Sequence, residues 1–503
     1  MLSKIFSAAI DGIEGVPVTI ETDIVRGMPS FNVVGQADTT VKEARERIRS
    51  AMVHSGMEYP RCRITVNLSP AGIPKRGSHF DLAMAMGILA ATGQVFQRNM
   101  ENFAFFGELS LDGALQKTRG ILPMVMAAKK MGLENVIVPA ANLEEAMLVQ
   151  GANLYGASGL AEVVDFFNLK KNLIPRRGRP PKVIEESYTV DFADVKGQEA
   201  AKRALIVAVS GGHGILMMGS PSTGKTMLAE RIPTIMPPMT GDEILETTVI
   251  YSIAGLLSKD TPYITKRPFR HPHHTITARG LLGGGHFVPR PGEITLANNG
   301  VLFLDEAGEF NRQLIDSLRT PLEKKTITLI RRGVPYIFPA EFMLAAATNL
   351  CKCGYFEDPN HDCKCSPREI EQYQRKLSGP IMERIDIHLR LFPVGYEDLT
   401  DEKAMSSAEM KEKIQGAREM QRRRYRGTGI FLNQQLCETM METYCPLGEE
   451  EQALISRAYY TLKLNPRTLI RVKRVARTIA DLEESEDIKV RHLTEALQYR
   501  EKK

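Results

Sequence analysis

Residues 214–226 read GILMMGSPSTGKT, and this stretch decides the fold. The apolar run GILMM has the length of a buried strand. It leads directly into Gly219, Ser220, Pro221, Ser222, Thr223, Gly224, Lys225 and Thr226, which match the pattern G-x-x-x-x-G-K-[ST]. In such a loop, backbone N–H groups and the start of the following helix cradle the β- and γ-phosphates of a nucleotide. Lys225 carries a positive charge to those oxygens, and the Thr226 hydroxyl is suited to Mg²⁺. A plain glycine-rich turn is the bland alternative. The apolar strand before the loop and the helical pattern after it argue against that alternative.

Further along, VLFLDE (301–306) is an apolar strand that ends in two carboxylates. Below a phosphate loop, Asp305 is placed to hold Mg²⁺ and Glu306 to polarise an attacking water. A second apolar strand, AAATN, ends at Asn349, which is suited to orienting that water. Arg384 in SGPIMERIDIH and Arg467 in LNPRTLIRVKRVARTIADL are cationic candidates for the γ-phosphate, or else members of surface ion pairs. An arginine supplied across a subunit interface would make hydrolysis depend on assembly.

The 503 residues exceed one ordinary core and suggest several domains. Residues 1–170 alternate β-like and helical segments, indicating a self-contained α/β domain. Residues 171–188 form a basic, proline-rich linker, expected to be extended and semi-stiff. Residues 189–395 repeat an α/β pattern around the phosphate loop, and residues 396–503 read as a helical lid. The formal charge of +5 is matched by five linker cations, Lys171, Arg176, Arg177, Arg179 and Lys182, so the remainder is neutral. Basicity is therefore local, and RRGRPPK (176–182) is either a tether or a grip in which Arg177 and Arg179 enter an A·T-rich minor groove.

The chain offers no signal-peptide core and no apolar run long enough to span a bilayer, so a cytoplasmic location is expected. Four of the seven cysteines, Cys351, Cys353, Cys363 and Cys365, crowd into CKCGYFEDPNHDCKC. This pattern suits a closed tetrahedral Zn²⁺ site, with free thiols or a redox switch as the alternatives and His361 as a spare ligand. His271, His273 and His274 in HPHH have no carboxylate or cysteine at ligand spacing nearby, which favours a loop role over a second metal site.

With these residues assembled, the chain resembles, along nearly its whole length, the ComM/YifB family of magnesium chelatase-like AAA+ ATPases. The resemblance is carried by MLSKIFSAAIDGIEGVPVTIETDIVRGMPSFNVVG, RPFRHPHHTIT, PRPGEITLANNGVLFLDE, LSGPIMERIDIH and VARTIADL, besides the cysteine stretch. It implies a hexameric ring with Lys225 and Thr226 in the Walker A loop and Asp305 and Glu306 in Walker B. Asn349 would then be sensor 1, Arg384 an arginine finger acting on a neighbouring subunit, and Arg467 sensor 2. Ser220 and Ser222 depart from the more usual proline and glycine of the loop, and NPR departs from a serine-containing sensor 2 context. Neither change removes a charge that the chemistry needs.

For function, the resemblance implies an ATP- and Mg²⁺-dependent motor that migrates branched DNA during recombination of transforming DNA. A chelatase-type or protein-remodelling motor that does not act on DNA is the alternative. TITLIRRGVPYIF (326–338) reads as a β-hairpin turning at Arg332-Gly333, which would bring Arg331 and Arg332 to DNA phosphates. Residues 70–93 and 106–133 resemble the proteolytic domain of Lon proteases. The nucleophile position falls on His79, beside Ser78, and the lysine position on Leu122, so a Ser–Lys dyad is not expected. The fold class expected is thus α/β, with a Lon-like N-terminal domain, a P-loop core and a helical lid.

Overall fold

Alternation and continuity of apolar residues sort the strands into two large sheets. The structure, a computed structural model, describes residues 2–97, 99–181, 188–285, 288–331, 333–377, 381–395, 397 and 404–500. In β1 (Leu2–Asp11) and β2 (Glu14–Val25), Ile5, Ala9, Val18 and Ile20 face helices Thr39–His54 and Asp81–Ala91. The opposite face, with Phe6, Ala8 and Ile10, meets helix Ile121–Lys130. Period-two alternation is the signature of strands that feed two different cores. Gly12, at φ +66°, opens the tight turn between β1 and β2, a conformation that costs glycine little.

The first sheet adds β3 (Ser30–Val34), β4 (Arg63–Ser69) and β5 (Phe103–Phe105). A small hairpin of β6 (Glu108–Leu109) and β7 (Leu115–Gln116) stands apart from it. With β8 (Asn135–Pro139), β9 (Asn153–Ala157) and β10 (Arg176–Arg177), the eight-stranded order is β10-β9-β8-β5-β1-β2-β4-β3.

β10 corrects the expectation for the linker. Arg176 and Arg177 pair antiparallel with Leu154 and Asn153, and the chain continues along the same body through Gly178 N–H to Ala152 O (2.8 Å) and Arg179 N–H to Met147 O (2.8 Å). Gly178 is required there, because a Cβ would lie 1.8 Å from the Val149 carbonyl oxygen. The backbone donors of RRGR find acceptors on an open sheet edge, which an extended, solvated spacer would forgo. The arginine side chains nevertheless remain exposed.

The second sheet is parallel throughout, in the order β12-β15-β18-β11-β19. Its members are β11 (Ile215–Gly219), β12 (Phe269–Arg270), β15 (Val301–Leu304), β18 (Met343–Thr348) and β19 (Ile387–Leu391). β11, β15 and β18 are buried residue by residue, as continuous apolar runs covered on both faces must be. Two hairpins project from this body: β13 (Gly283–Gly284) with β14 (Arg290–Pro291), and β16 (Thr326–Arg331) with β17 (Val334–Pro339). In the second, Arg331 pairs with Val334, and Gly333 sits at φ +80°. Arg332 lies outside the described residues.

Beyond Leu391 the described chain has no strand, and helices Ser407–Arg424, Glu449–Thr461, Pro466–Leu482 and Val490–Gln498 pack back on the core. Met410, Val472, Ile479 and Leu493 join Ile215 and Met217 in one buried cluster. Asp386 lies beneath these helices, bonded to His213 Nδ1 (2.9 Å) and Arg471 Nη1 (2.7 Å). Burial alone would raise its pKa, but the His213 hydrogen bond and the Arg471 charge outweigh it and hold the carboxyl well below its ordinary 3.8. No described helix is long and apolar enough to cross a membrane.

Asp386→Asn is expected to lower stability at pH 7 by about 3 kcal/mol, the cost of breaking a buried charge pair, read as an earlier urea midpoint. A carboxyl whose folded pKa is depressed stabilises fully above its unfolded value and loses that contribution as pH falls through the folded one. The gap between wild type and variant should therefore narrow progressively below about pH 4. Equal midpoints at pH 7 would refute this.

Candidate nucleotide site

The carboxyl ends of the parallel strands form one edge, the place where open α/β sheets bind ligands. β11 ends there in the loop of residues 219–224, and helix Lys225–Glu230 begins immediately after it. Gly219 admits no side chain, since a Cβ would lie 2.4 Å from Leu391 O. Ser222 (φ +64°) and Gly224 (φ +84°) make the left-handed turns that curl the loop. Ser222 adopts the conformation that glycine would take more easily.

Lys225 Nζ donates to Gly219 O (2.9 Å) and Ser220 O (2.7 Å), so its ammonium rests on the carbonyls of its own loop. Burial lowers its pKa, with the Asp305 charge pulling the other way. Thr226 Oγ1 donates to Asp305 Oδ2 at 2.8 Å, although β18 separates their parent strands. Octahedral Mg²⁺ with bonds of 2.0–2.1 Å sets adjacent ligand oxygens roughly 2.9 Å apart, so this hydroxyl and carboxylate fit two neighbouring positions. Asp305 Oδ1 accepts the Glu306 N–H at 2.9 Å.

Glu306 sits at φ +50°, ψ +44°, and this left-handed backbone turns its side chain out of the strand line. Its carboxylate lies 3.4 Å from His274 Nδ1, a contact that the sequence pattern did not signal. Asn349 follows directly on β18, at the same edge. The site thus joins an anion cradle, two oxygens placed to hold a metal and a half-exposed carboxylate, the parts needed to bind a nucleoside triphosphate and to activate water.

Arg384 ends the short helical turn Met382–Arg384, and Arg467 begins a nearby helix. Arg384 pairs with Glu323, and its side chain is only 6% exposed. Arg467 is exposed in the first turn of helix Pro466–Leu482, whose N-cap Asn465 reaches Glu383 Oε1 at 3.3 Å. Of the four candidate DNA contacts, Arg177 and Arg179 are exposed on the β9 side of the first sheet. Arg331 donates from Nε to Gly285 O (2.9 Å).

The four cysteines converge. Sulfur separations are 3.4 Å for Cys351–Cys353, 3.7 Å for Cys351–Cys363 and 3.6 Å for Cys353–Cys363, and all four sulfurs lie within 4.8 Å of one another. Tetrahedral Zn²⁺ with 2.3 Å bonds sets sulfurs about 3.8 Å apart, so the donor set fits that ion. Backbone N–H groups of Tyr355 and Lys364 lower the Cys353 pKa, while those of Cys351, Cys363 and Cys365 are raised beside it, so of the four thiols Cys353 gives up its proton most readily. This module also touches the phosphate loop, which sequence reading missed. The Ser220 hydroxyl donates to Asp358, and Gly354 (φ +90°) passes so close to Pro221 that a Cβ would lie 2.8 Å from its Cγ.

In the first body, His79 is buried, bonded to Ala8 O (3.0 Å) and depressed to a pKa of about 4 by burial. Leu122 is packed in a core, and the Ser78 hydroxyl is engaged by Glu108. None of these supplies a nucleophile–base dyad. The two bodies meet directly: Gly120 N–H donates to Ser252 O (3.1 Å) and Lys117 Nζ to Leu257 O (2.7 Å). The β1–β2 turn rests on the second hairpin, with Asp11 bonded to Tyr336 and Ile13 packed beside Leu329.

Comparison with known proteins agrees with this architecture. Family models described as magnesium chelatase, subunit ChlI, as subunit ChlI of Mg-chelatase, and as its C-terminal region match residues 191–399, 20–142 and 404–500. The competence protein ComM of Haemophilus influenzae is 39% identical over 510 residues, covering 99% of this chain and 97% of that protein. The uncharacterized protein YifB of Escherichia coli is 39% identical over 501 residues, with the same coverage. Lon protease 2 of Bacillus subtilis is 32% identical over 126 residues, 25% of this chain and 22% of that protein.

Proposed function

The chain belongs to the ComM/YifB family of magnesium chelatase-like AAA+ proteins, and from that premise we propose that it is a hexameric ATPase that drives migration of branched DNA during recombination of incoming DNA. The observation that supports the ATPase is the 2.8 Å bond between Thr226 and Asp305 beside Lys225, an arrangement suited to a metal and phosphates. Residues 219–226 bind the phosphates, with Lys225 turning from its loop carbonyls to the β- and γ-oxygens. Thr226 and Asp305 would hold Mg²⁺, which would supply charge neutralisation to the phosphates.

Glu306 takes a proton from the attacking water as the water oxygen bonds to the γ-phosphorus and the bond to the ADP oxygen breaks. Asn349 orients that water. Arg384 and Arg467 serve the γ-phosphate in the ring, Arg384 reaching a neighbouring subunit after leaving Glu323. In this reading, residues 1–170 are a non-proteolytic Lon-like domain, 171–188 a basic connection, 189–395 the ATPase core and 396–503 the lid.

Contact with DNA is supported by the competence role in the relative's name and by the cations. Arg331 of the β16–β17 hairpin, with the adjoining Arg332, would grip phosphates without reading sequence, and exposed Arg177 and Arg179 would enter an A·T-rich minor groove. A motor acting on proteins or on a tetrapyrrole is the rival, favoured by the chelatase family models. Cys351, Cys353, Cys363 and Cys365 would hold structural Zn²⁺, and their module braces the phosphate loop through Asp358 and Gly354.

ATP hydrolysis should rise with four-way DNA, and a gel assay on mobile junctions should give ATP-dependent branch migration that Lys225→Ala and Glu306→Gln abolish. A pure hexamer indifferent to every DNA would instead favour the rival motor. Each chain should release one zinc to a thiol-reactive reagent, read with a metallochromic dye, and affinity for a fluorescent ATP analogue should fall as it does. Unchanged affinity after complete release would remove the brace. Substituting Arg177 and Arg179 by alanine should reduce the salt dependence of duplex binding by at most about 1.8 in log–log slope, and an unchanged slope would return that stretch to a purely structural role.

A further inference from the structure

The four-cysteine module meets the phosphate loop at two points, and both belong to the segment between Cys353 and Cys363. Gly354 follows Cys353 directly and passes so close to Pro221 that no side chain would fit there. Asp358 stands five residues from each of the two cysteines and takes the Ser220 hydroxyl. The segment is tied together from within. Asn360 N–H donates to Asp358 Oδ1 at 2.8 Å, His361 Nδ1 lies 3.4 Å from the same oxygen, and the His361 ring packs on Tyr355 at 4.8 Å. A pull on either cysteine therefore reaches both contacts. The sulfurs of Cys353 and Cys363 lie 3.6 Å apart, and both residues are partly exposed, open to a small reagent. Cys351 differs, being buried with its sulfur accepting the Phe356 N–H at 3.3 Å.

We propose that Cys353 and Cys363 are a modification site, at which a peroxide forms a reversible disulfide that loosens the grip of the phosphate loop on nucleotide. This rests on the nucleotide-site reading and not on the metal, although the disulfide would withdraw two of the four donors from Zn²⁺. One thiolate of the pair attacks a peroxide oxygen, the O–O bond breaks, and hydroxide departs, leaving a sulfenic acid. The second thiolate attacks that sulfur, the S–O bond breaks, and a second hydroxide leaves. The two protons given up by the thiols turn both hydroxides into water, and two electrons pass from sulfur to the peroxide. Bonding draws the sulfurs from 3.6 Å to about 2.05 Å. Gly354 and Asp358 are carried along, and a hydrogen bond such as that from Ser220 weakens steeply when its partners are displaced. The backbone donors of the loop are then less well set for phosphate.

The test compares the full-length protein reduced and after treatment with hydrogen peroxide, in a parent carrying Cys62→Ser and Cys437→Ser so that these thiols do not report. Peptide mapping by mass spectrometry should find Cys353 linked to Cys363. Affinity for a fluorescent, non-hydrolysable ATP analogue should fall about tenfold, the size of one hydrogen bond to a charged group, and dithiothreitol should restore both readings. Asp358→Ala, which cuts one contact and leaves the pair, should form the same disulfide, while its affinity, already lower, falls by less on oxidation.

Absence of the Cys353–Cys363 linkage, or linkage of a different pair, would overturn the proposal. So would the linkage with affinity unchanged, which would make the disulfide an incidental product. A loss of affinity that dithiothreitol does not reverse would overturn it too, as the mark of over-oxidation to sulfinic acid. A full response in Asp358→Ala would break the link from the sulfurs to the phosphate loop. If the reduced protein binds no analogue, the nucleotide-site reading fails, and the modification site is then decided by the mapping alone.

Discussion

The hydrogen bond from Thr226 to Asp305 depends on almost everything else in the core being correct. Their parent strands, β11 and β15, are separated by β18, so the bond spans two strand spacings of about 4.8 Å each. It can form only because the helix after the phosphate loop leans across the carboxyl end of β18. That strand carries Ala345, Ala346 and Ala347, whose small side chains let the covering layers approach closely. A sheet with any other order would separate the loop from its acidic partner. The apolar continuity of three strands, the shape of the loop and the two metal-binding oxygens are therefore one constraint expressed at three scales.

Legibility followed distance along the chain. The phosphate loop, the acidic strand end and the cysteine cluster are contiguous in sequence, and short-range patterns exposed them. The buried strands of the core were readable for the same reason, since strands covered on both faces must be apolar throughout. What stayed hidden was long-range pairing. Nothing local in HPHH says that its last histidine meets a carboxylate 32 residues later, because the meeting is set by where β12 lies against β15. The contact between Ser220 and Asp358 was equally silent. Ser220 could be noticed as a departure from a familiar loop, but its partner is supplied by another module. The RRGR stretch misled for a related reason. Proline and charge describe how a segment behaves in water, and the open edge of β9 offered its amides something better.

The first body resembles part of Lon protease 2, and His79 and Leu122, where the sequence reading set the nucleophile and lysine positions, are both buried. What this body provides is a broad seat against the core. Buried Glu145 receives the Ser252 hydroxyl, and its pKa is raised by desolvation despite that bond. Asp11 meets Tyr336 at the turn that rests on the second hairpin. A body joined at both places is positioned to feel any movement of that hairpin.

The pairing of Arg176 and Arg177 with β9 has a consequence for solubility. Without it, β9 would end the sheet as a flat row of unpaired amides and carbonyls, a surface on which strands from other molecules could add. Two arginines are suited to that position, since they satisfy the edge on one side and present charge on the other, where a further strand would have to approach. Cutting the chain at residue 170, where composition suggests the first body ends, would uncover that edge and invite self-association.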